Sequence, residues 1–137
     1  MKEWLVDTNV LLDVLGADPT FGESSRRVLE SCAVSGALVI NPVIFAEIAA
    51  FVTTLEELDE LLPASLFRRD ELPWEASFLA GRAFRRYRQA KGSKNRMLAD
   101  FLVGAHAAVS GLALITRDKG YGTYFTIEVL DPSAGGS

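Results

Sequence analysis

The chain has 137 residues, 49% of them hydrophobic, with a formal charge of −4 and a single cysteine. That length suits one domain with a substantial buried core, and that composition excludes global disorder. One cysteine excludes an intramolecular disulfide framework. No run reaches membrane-spanning length and no secretory-type leader opens the chain, so a cytoplasmic protein with no membrane partner is expected.

In chain order, "EWLV" reads as a short strand that opens into a helix from about Asn9. "SSRRVLESCAV" has helical spacing and Gly36 closes it before a strand, "ALVI". In "NPVIFAEIAAF", Asn41 is the N-cap and Pro42 the first helical residue. Thr54 and Glu57 form a capping box for "LEELDELL", which Pro63 stops. "SLFRR" is a short strand, Pro73 to Ala90 a long helix, and Arg96 to Val109 another, ended by Gly111. "LALI" is a buried strand and "IEVL" the last one; the tail "SAGGS" reads as disordered, which leaves a single domain over residues 1–132. Strands alternating with helices predict an α/β fold with a parallel sheet of about five strands, and right-handed crossovers put helices on both faces.

Four acids sit where the pattern asks for core residues. Asp7 lies between "WLV" and "VLL"; Glu47 is the one charged side chain in "NPVIFAEIAAFV"; Asp100 is the one in "MLADFLVGAHAAV"; Asp118 follows the "LALI" strand. Asp7 and Asp118 both belong at the carboxyl ends of strands, where open α/β sheets build their sites. Converging carboxylates about 4 Å apart repel by roughly 4 kcal/mol per pair at an effective dielectric near 20. Either their pKa values rise or a cation joins them. With one His and one Cys in the chain, a closed zinc site is excluded, and oxygen donors alone favour Mg2+ or Mn2+. Asn9 and Thr116, flanking the first and last acids, are candidate partners for the carboxylates or a water. Metal-assisted phosphodiester hydrolysis is the chemistry that such a cluster does most directly.

Each acid also has a structural reading: Asp7 as a helix cap, Glu47 paired to a buried arginine, Asp100 favoured by a helix dipole, Asp118 as a turn residue. Asp13 is expected to face solvent, Arg26 or Arg27. His106, mid-helix among alanines, reads as a core residue and not a general base. The "GYG" at 120–122 lacks dinucleotide-site spacing and reads as a turn, with Tyr121, Tyr124 and Phe125 in packing roles. From Arg82 to Arg96 seven residues are basic and none acidic. Arg82, Arg85 and Arg86 share a helix face, either merely solvated or attracting phosphates, with Lys94, Arg117 and Lys119 as possible additions to that phosphate-attracting surface.

"LVDTNVLLD", "NPVIFAEI", "ADFLVGAHA" and "LALITRDKGYGTYF", in this order, closely resemble the PIN-domain ribonucleases, specifically VapC-like toxins of prokaryotic toxin–antitoxin pairs. The resemblance covers nearly the whole chain. It implies a three-layer sandwich around a central parallel sheet and an Mg2+- or Mn2+-dependent endoribonuclease that hydrolyses RNA with metal-activated water. By position, Asp7, Glu47, Asp100 and Asp118 match the family's acidic quartet, and Asn9 and Thr116 its accessory polar places. The resemblance also implies a homodimer silenced by a VapB-like antitoxin. One departure stands out: many relatives carry a further acid just past the last motif position, where this chain has Lys119 to Gly122. Two other readings stay open, a non-catalytic PIN-type module that binds RNA or protein, and a haloacid-dehalogenase-like phosphatase. The latter needs a second acid two residues after the first, where this chain has Asn9.

Overall fold

The computed structural model describes residues 1–90 and 96–134. Five strands, β1 (Lys2–Val6), β2 (Gly36–Ile40), β3 (Phe67–Arg69), β4 (Ala113–Ile115) and β5 (Val129–Leu130), form one parallel sheet in the order β3-β2-β1-β4-β5. The helices are α1 (Thr8–Leu15), α2 (Gly22–Ser35), α3 (Pro42–Ala49), α4 (Leu55–Leu61), α5 (Trp74–Gln89) and α6 (Leu98–Ser110). The chain steps from β1 outward to β3, then returns past β1 to β4. Right-handed crossovers therefore set α1 to α4 over one face and α5 with α6 over the other, the three layers expected. The winding reverses between β1 and β4.

Central strands of such sheets are covered on both sides and so read as continuous apolar runs. Leu5, Val6, Val39, Ile40, Leu114 and Ile115 are fully buried. On the far face, α5 and α6 meet through aromatic rings. Phe101 has Phe84 and Tyr87 at 5.4 Å and Tyr124 at 5.2 Å between centroids. Gly104 lets the segment after β4 lie against α6: a Cβ there would stand 2.5 Å from the Phe125 ring and 2.9 Å from that of Tyr121.

Local signals hold at the starts of α3 and α4. The Asn41 side chain accepts from the Ile44 N–H at 2.9 Å with Pro42 following, and Thr54 accepts from the Glu57 N–H at 3.1 Å. Glu57 returns its carboxylate to the Thr53 N–H and not to that of Thr54. Helix α6 begins at Leu98, two residues later than expected, because Met97 is extended (φ −114°, ψ 160°) and serves as its N-cap, its N–H held by the Asp100 carboxylate at 3.0 Å. Strand β5 shortens to two residues, since it pairs on one side only with a three-residue neighbour. In the expected tail, Ser133 and Ala134 form a hydrogen-bonded turn on Asp131, while residues 135–137 lie outside the described ones. No described helix is long and apolar enough to cross a membrane.

Candidate active site

Asp7 is the first residue after β1, and Val6 is in register with Ile115 of β4. The Asp7 N–H extends that ladder to the Ile115 carbonyl at 2.9 Å, so the next residue on each strand, Asp7 and Thr116, lie side by side. Asp7 caps α1, its Oδ1 accepting from the Thr8 N–H at 2.8 Å. Its Oδ2 accepts from the Thr116 hydroxyl at 2.9 Å, the Tyr121 hydroxyl at 3.0 Å and Asn9 Nδ2 at 3.2 Å. The cap reading and the site reading are thus compatible: one oxygen serves the helix and the other faces the rim. Asn9 Nδ2 also donates to Thr116 Oγ1 at 3.1 Å, and its Oδ1 accepts from the Arg117 N–H at 3.1 Å, which fixes the amide's orientation.

Four donors do not cancel the cost of burial. Asp7 is 6% exposed, and desolvation pushes its carboxyl up to about 6 from an ordinary 3.8. The bonds from Thr116, Thr8 and Tyr121 pull the other way, and the nearby charge of Glu47 adds to the rise. No cationic side chain touches Asp7 among the described residues. A positive charge here would be stabilised.

The other three acids stand on the same rim. Glu47, half-buried on α3, accepts from the Thr8 hydroxyl at 2.5 Å and has no arginine partner among the described residues. Asp100, in the first turn of α6, accepts from the Met97 N–H at 3.0 Å. Asp118 accepts from the Gly120 N–H at 2.8 Å and from Arg96 Nη2. Tyr121 links them. It is buried, which is the main cause of a hydroxyl pKa far above the ordinary 10, and the charges of Asp7, Asp100 and Asp118 all add to that shift.

Among the described residues, no three acidic, histidine or cysteine side chains form a ready cage around one ion. Asp118 is turned onto Arg96 and Asp100 onto its own helix start. The all-oxygen donor set still suits Mg2+ or Mn2+, because Mg2+ keeps several waters and takes only one or two carboxylates plus substrate phosphates. An ion on this rim would have one or two of these carboxylates as ligands, with waters and substrate phosphates completing its shell.

Several expectations change. Asp13 does not face solvent, Arg26 or Arg27; it is 4% exposed and holds Arg117 by two bonds of 2.7 and 2.8 Å, with the Ser25 hydroxyl at 2.9 Å. Arg117 is therefore committed inside the chain, its guanidinium also 4.0 Å from the Phe21 ring centroid, and is no free RNA contact. Arg26 and Arg27 pair with Glu23, and Arg26 also with Glu30. Arg82, Arg85 and Arg86 are exposed on α5 and form no ion pair among the described residues. Lys94 lies outside the described residues. His106 is buried, its Nδ1 3.0 Å from Asn41 Nδ2, and burial lowers its pKa, so it is a neutral core residue. Two site residues escaped the sequence. The "GYG" is a turn as read, but Tyr121 points inward; Arg96 counted only as part of a basic run.

A model of the PIN domain matches residues 4–124. Comparison with curated proteins gives no match. Among solved structures, VapBC2 from Rickettsia felis, bound to a DNA fragment from its promoter, is similar with a TM-score of 0.72 at 16% identity, over 93% of this chain and 97% of that one. FitAcB from Neisseria gonorrhoeae gives 0.72 at 20% identity, over 96% and 99%. VapC20 from Mycobacterium tuberculosis, a sarcin–ricin loop cleaving toxin, gives 0.66 at 12% identity, over 93% and 99%. At such identities the likeness is one of fold. The family match, spanning most of the chain and containing all four rim acids, carries further: the chain belongs to the PIN domain family.

Proposed function

We propose that the chain is a metal-dependent endoribonuclease acting as the toxin of a toxin–antitoxin pair. The observation that carries this reading is Asp7, a buried carboxylate at the sheet's switch point with four hydrogen-bond donors, a pKa raised to about 6 and no cation touching it among the described residues. Asp7 and Asp100 would hold Mg2+ or Mn2+, with Asp118 as a further ligand and Glu47 orienting the attacking water or a second ion. The ion, when bound, supplies Lewis acidity and lowers the pKa of a water for attack on a phosphodiester. Asn9 and Thr116 hold the Asp7 carboxylate in one rotamer, and Tyr121 closes its inner side from solvent. In-line attack would leave 5′-phosphate and 3′-hydroxyl ends. The exposed Arg82, Arg85 and Arg86 on α5 would draw the polyanion toward a rim that otherwise repels it.

A VapB-like antitoxin belongs to the same reading, supported by the VapBC2 neighbour, and a homodimer is proposed with it. An apolar groove of about 460 Å³, walled by Leu11, Val14, Leu29 and Ala33 among others, suits the apolar side chains of such an antitoxin. Trp74 and Phe78, one turn apart on α5 and 91% and 69% exposed, give a dimer an apolar face.

The pairing of Asp118 with Arg96, and the lack of a ready three-ligand cage among the described residues, favour a second reading, a PIN module that binds RNA or protein without cutting. A phosphatase of the haloacid-dehalogenase kind finds no support, since Asn9 stands where its general acid is needed. Incubating the purified protein with structured RNAs, in Mg2+ or Mn2+ and again in EDTA, separates the readings. Chelator-sensitive internal cleavage is expected; binding without cleavage in either metal would favour the non-catalytic module.

A further inference from the structure

The rim already contains a positive charge from the chain itself. Arg96 leads into α6, and its N–H is tied to the Tyr87 hydroxyl of α5 at 3.0 Å. From that anchor its guanidinium reaches Asp118 and stands 5.6 Å from the ring centroid of Tyr121, whose hydroxyl holds Asp7. The Arg96 side chain is 20% exposed and that of Asp118 29%, so the pair is largely shielded from solvent. Partial burial opposes the guanidinium's charge, but the bond to Asp118 and the charges of Asp118 and Asp100 outweigh it.

The seat depends on Gly120. A Cβ on that residue would lie 1.6 Å from Arg96 Nη2 and 2.4 Å from its Cζ. Gly120 has φ −86°, so alanine fits its backbone without strain. What a side chain there denies is the space the guanidinium fills.

We propose that Arg96 is an internal counter-cation that competes with the divalent metal for Asp118, so that an ion gains the full use of that carboxylate only when the guanidinium leaves. This rests on the metal reading of Asp7, Glu47, Asp100 and Asp118 given above. A guanidinium and a metal ion bonded to one carboxylate oxygen repel each other, and Asp118 Oδ1 already accepts from Gly120 as well as Arg96. While Arg96 holds Oδ1, Asp118 offers an ion only its other oxygen, beside the positive guanidinium, and the ion must bind against that charge, through the remaining acids, or displace the pair. The arginine thereby sets the metal concentration at which the site fills.

The test is a Mn2+ titration of the full chain by calorimetry and by loss of the free-ion EPR signal, neither of which requires turnover. Arg96→Gln frees Asp118, and Gly120→Ala expels the guanidinium while keeping every charge. Arg27→Gln, on remote α2, measures the trivial gain from losing one positive charge. Arg96→Gln is expected to bind Mn2+ about five- to tenfold tighter, the worth of a partly buried ion pair, with Arg27→Gln within twofold of the parent. Gly120→Ala should gain in the same direction, and thermal melts confirm that each variant is folded. Equal or weaker binding by Arg96→Gln, or a gain no larger than that of Arg27→Gln, overturns the proposal while a binding parent leaves the metal reading standing. No Mn2+ binding by any of the chains overturns both.

Discussion

Asp13 and Arg117, 104 residues apart, meet in a two-bonded ion pair beneath the loop that carries Thr116 and Asp118. The same arginine's N–H bonds Asn9, which in turn bonds Asp7. One largely buried pair therefore ties the end of β4 to the second turn of α1 and holds the two halves of the rim in register.

Removing the arginine should cost stability. Arg117→Ala leaves Asp13, 4% exposed, with the Ser25 hydroxyl as its side-chain partner. Breaking a fully buried pair costs about 3–5 kcal/mol, and the partial exposure of Arg117 lowers the expectation to about 2–3 kcal/mol in urea unfolding. A loss under about 1 kcal/mol would reduce the pair to the standing of a surface one.

Asp7 should make the metal-free protein less stable as pH rises. Its folded pKa, about 6, exceeds its unfolded value near 3.8, so the folded state binds the proton more tightly. The contribution is fully present below pH 4 and is lost as pH passes through 6; a shift of about two units corresponds to about 3 kcal/mol. In EDTA, Asp7→Asn should therefore be more stable than the parent at pH 7 and lose that advantage near pH 4. Parallel pH profiles for the two proteins would contradict the burial cost assigned to Asp7.

For cleavage, Asp7→Asn and Asp100→Asn should each lower the metal-dependent rate by more than 100-fold with the fold retained. Tyr121→Phe removes one donor to Asp7 and should lower it about 10- to 100-fold, the usual cost of an outer partner. A full rate in either Asn variant, measured under single-turnover conditions, would remove that acid from the site.

Neutralising α5 should act through salt. Arg82, Arg85 and Arg86 are exposed, so changing all three to alanine should leave stability nearly unchanged. If they meet RNA phosphates, the slope of log affinity against log salt falls by about 2 for single-stranded RNA. An unchanged slope would leave them as solvated surface.

The local parts of the fold are written in short-range chemistry. Asn41 followed by Pro42 marks a helix start, and the apolar runs of β1, β2 and β4 mark buried parallel strands. Asp7 was conspicuous because a charge between two such runs needs a reason. Boundaries failed where an unexpected residue became the cap, as at Met97, whose N–H is held by the Asp100 carboxylate.

The sequence by itself determined which residues are out of place: four acids in apolar company, on elements whose periodicity says where each begins. Only the tertiary structure decided their partners. Tyr121 on Asp7, Arg96 on Asp118 and Arg117 on Asp13 join residues 114, 22 and 104 positions apart. Such pairings depend on strand order, crossover hand and the register of β1 with β4, which bring distant side chains together, whereas periodicity reports only on neighbours along the chain.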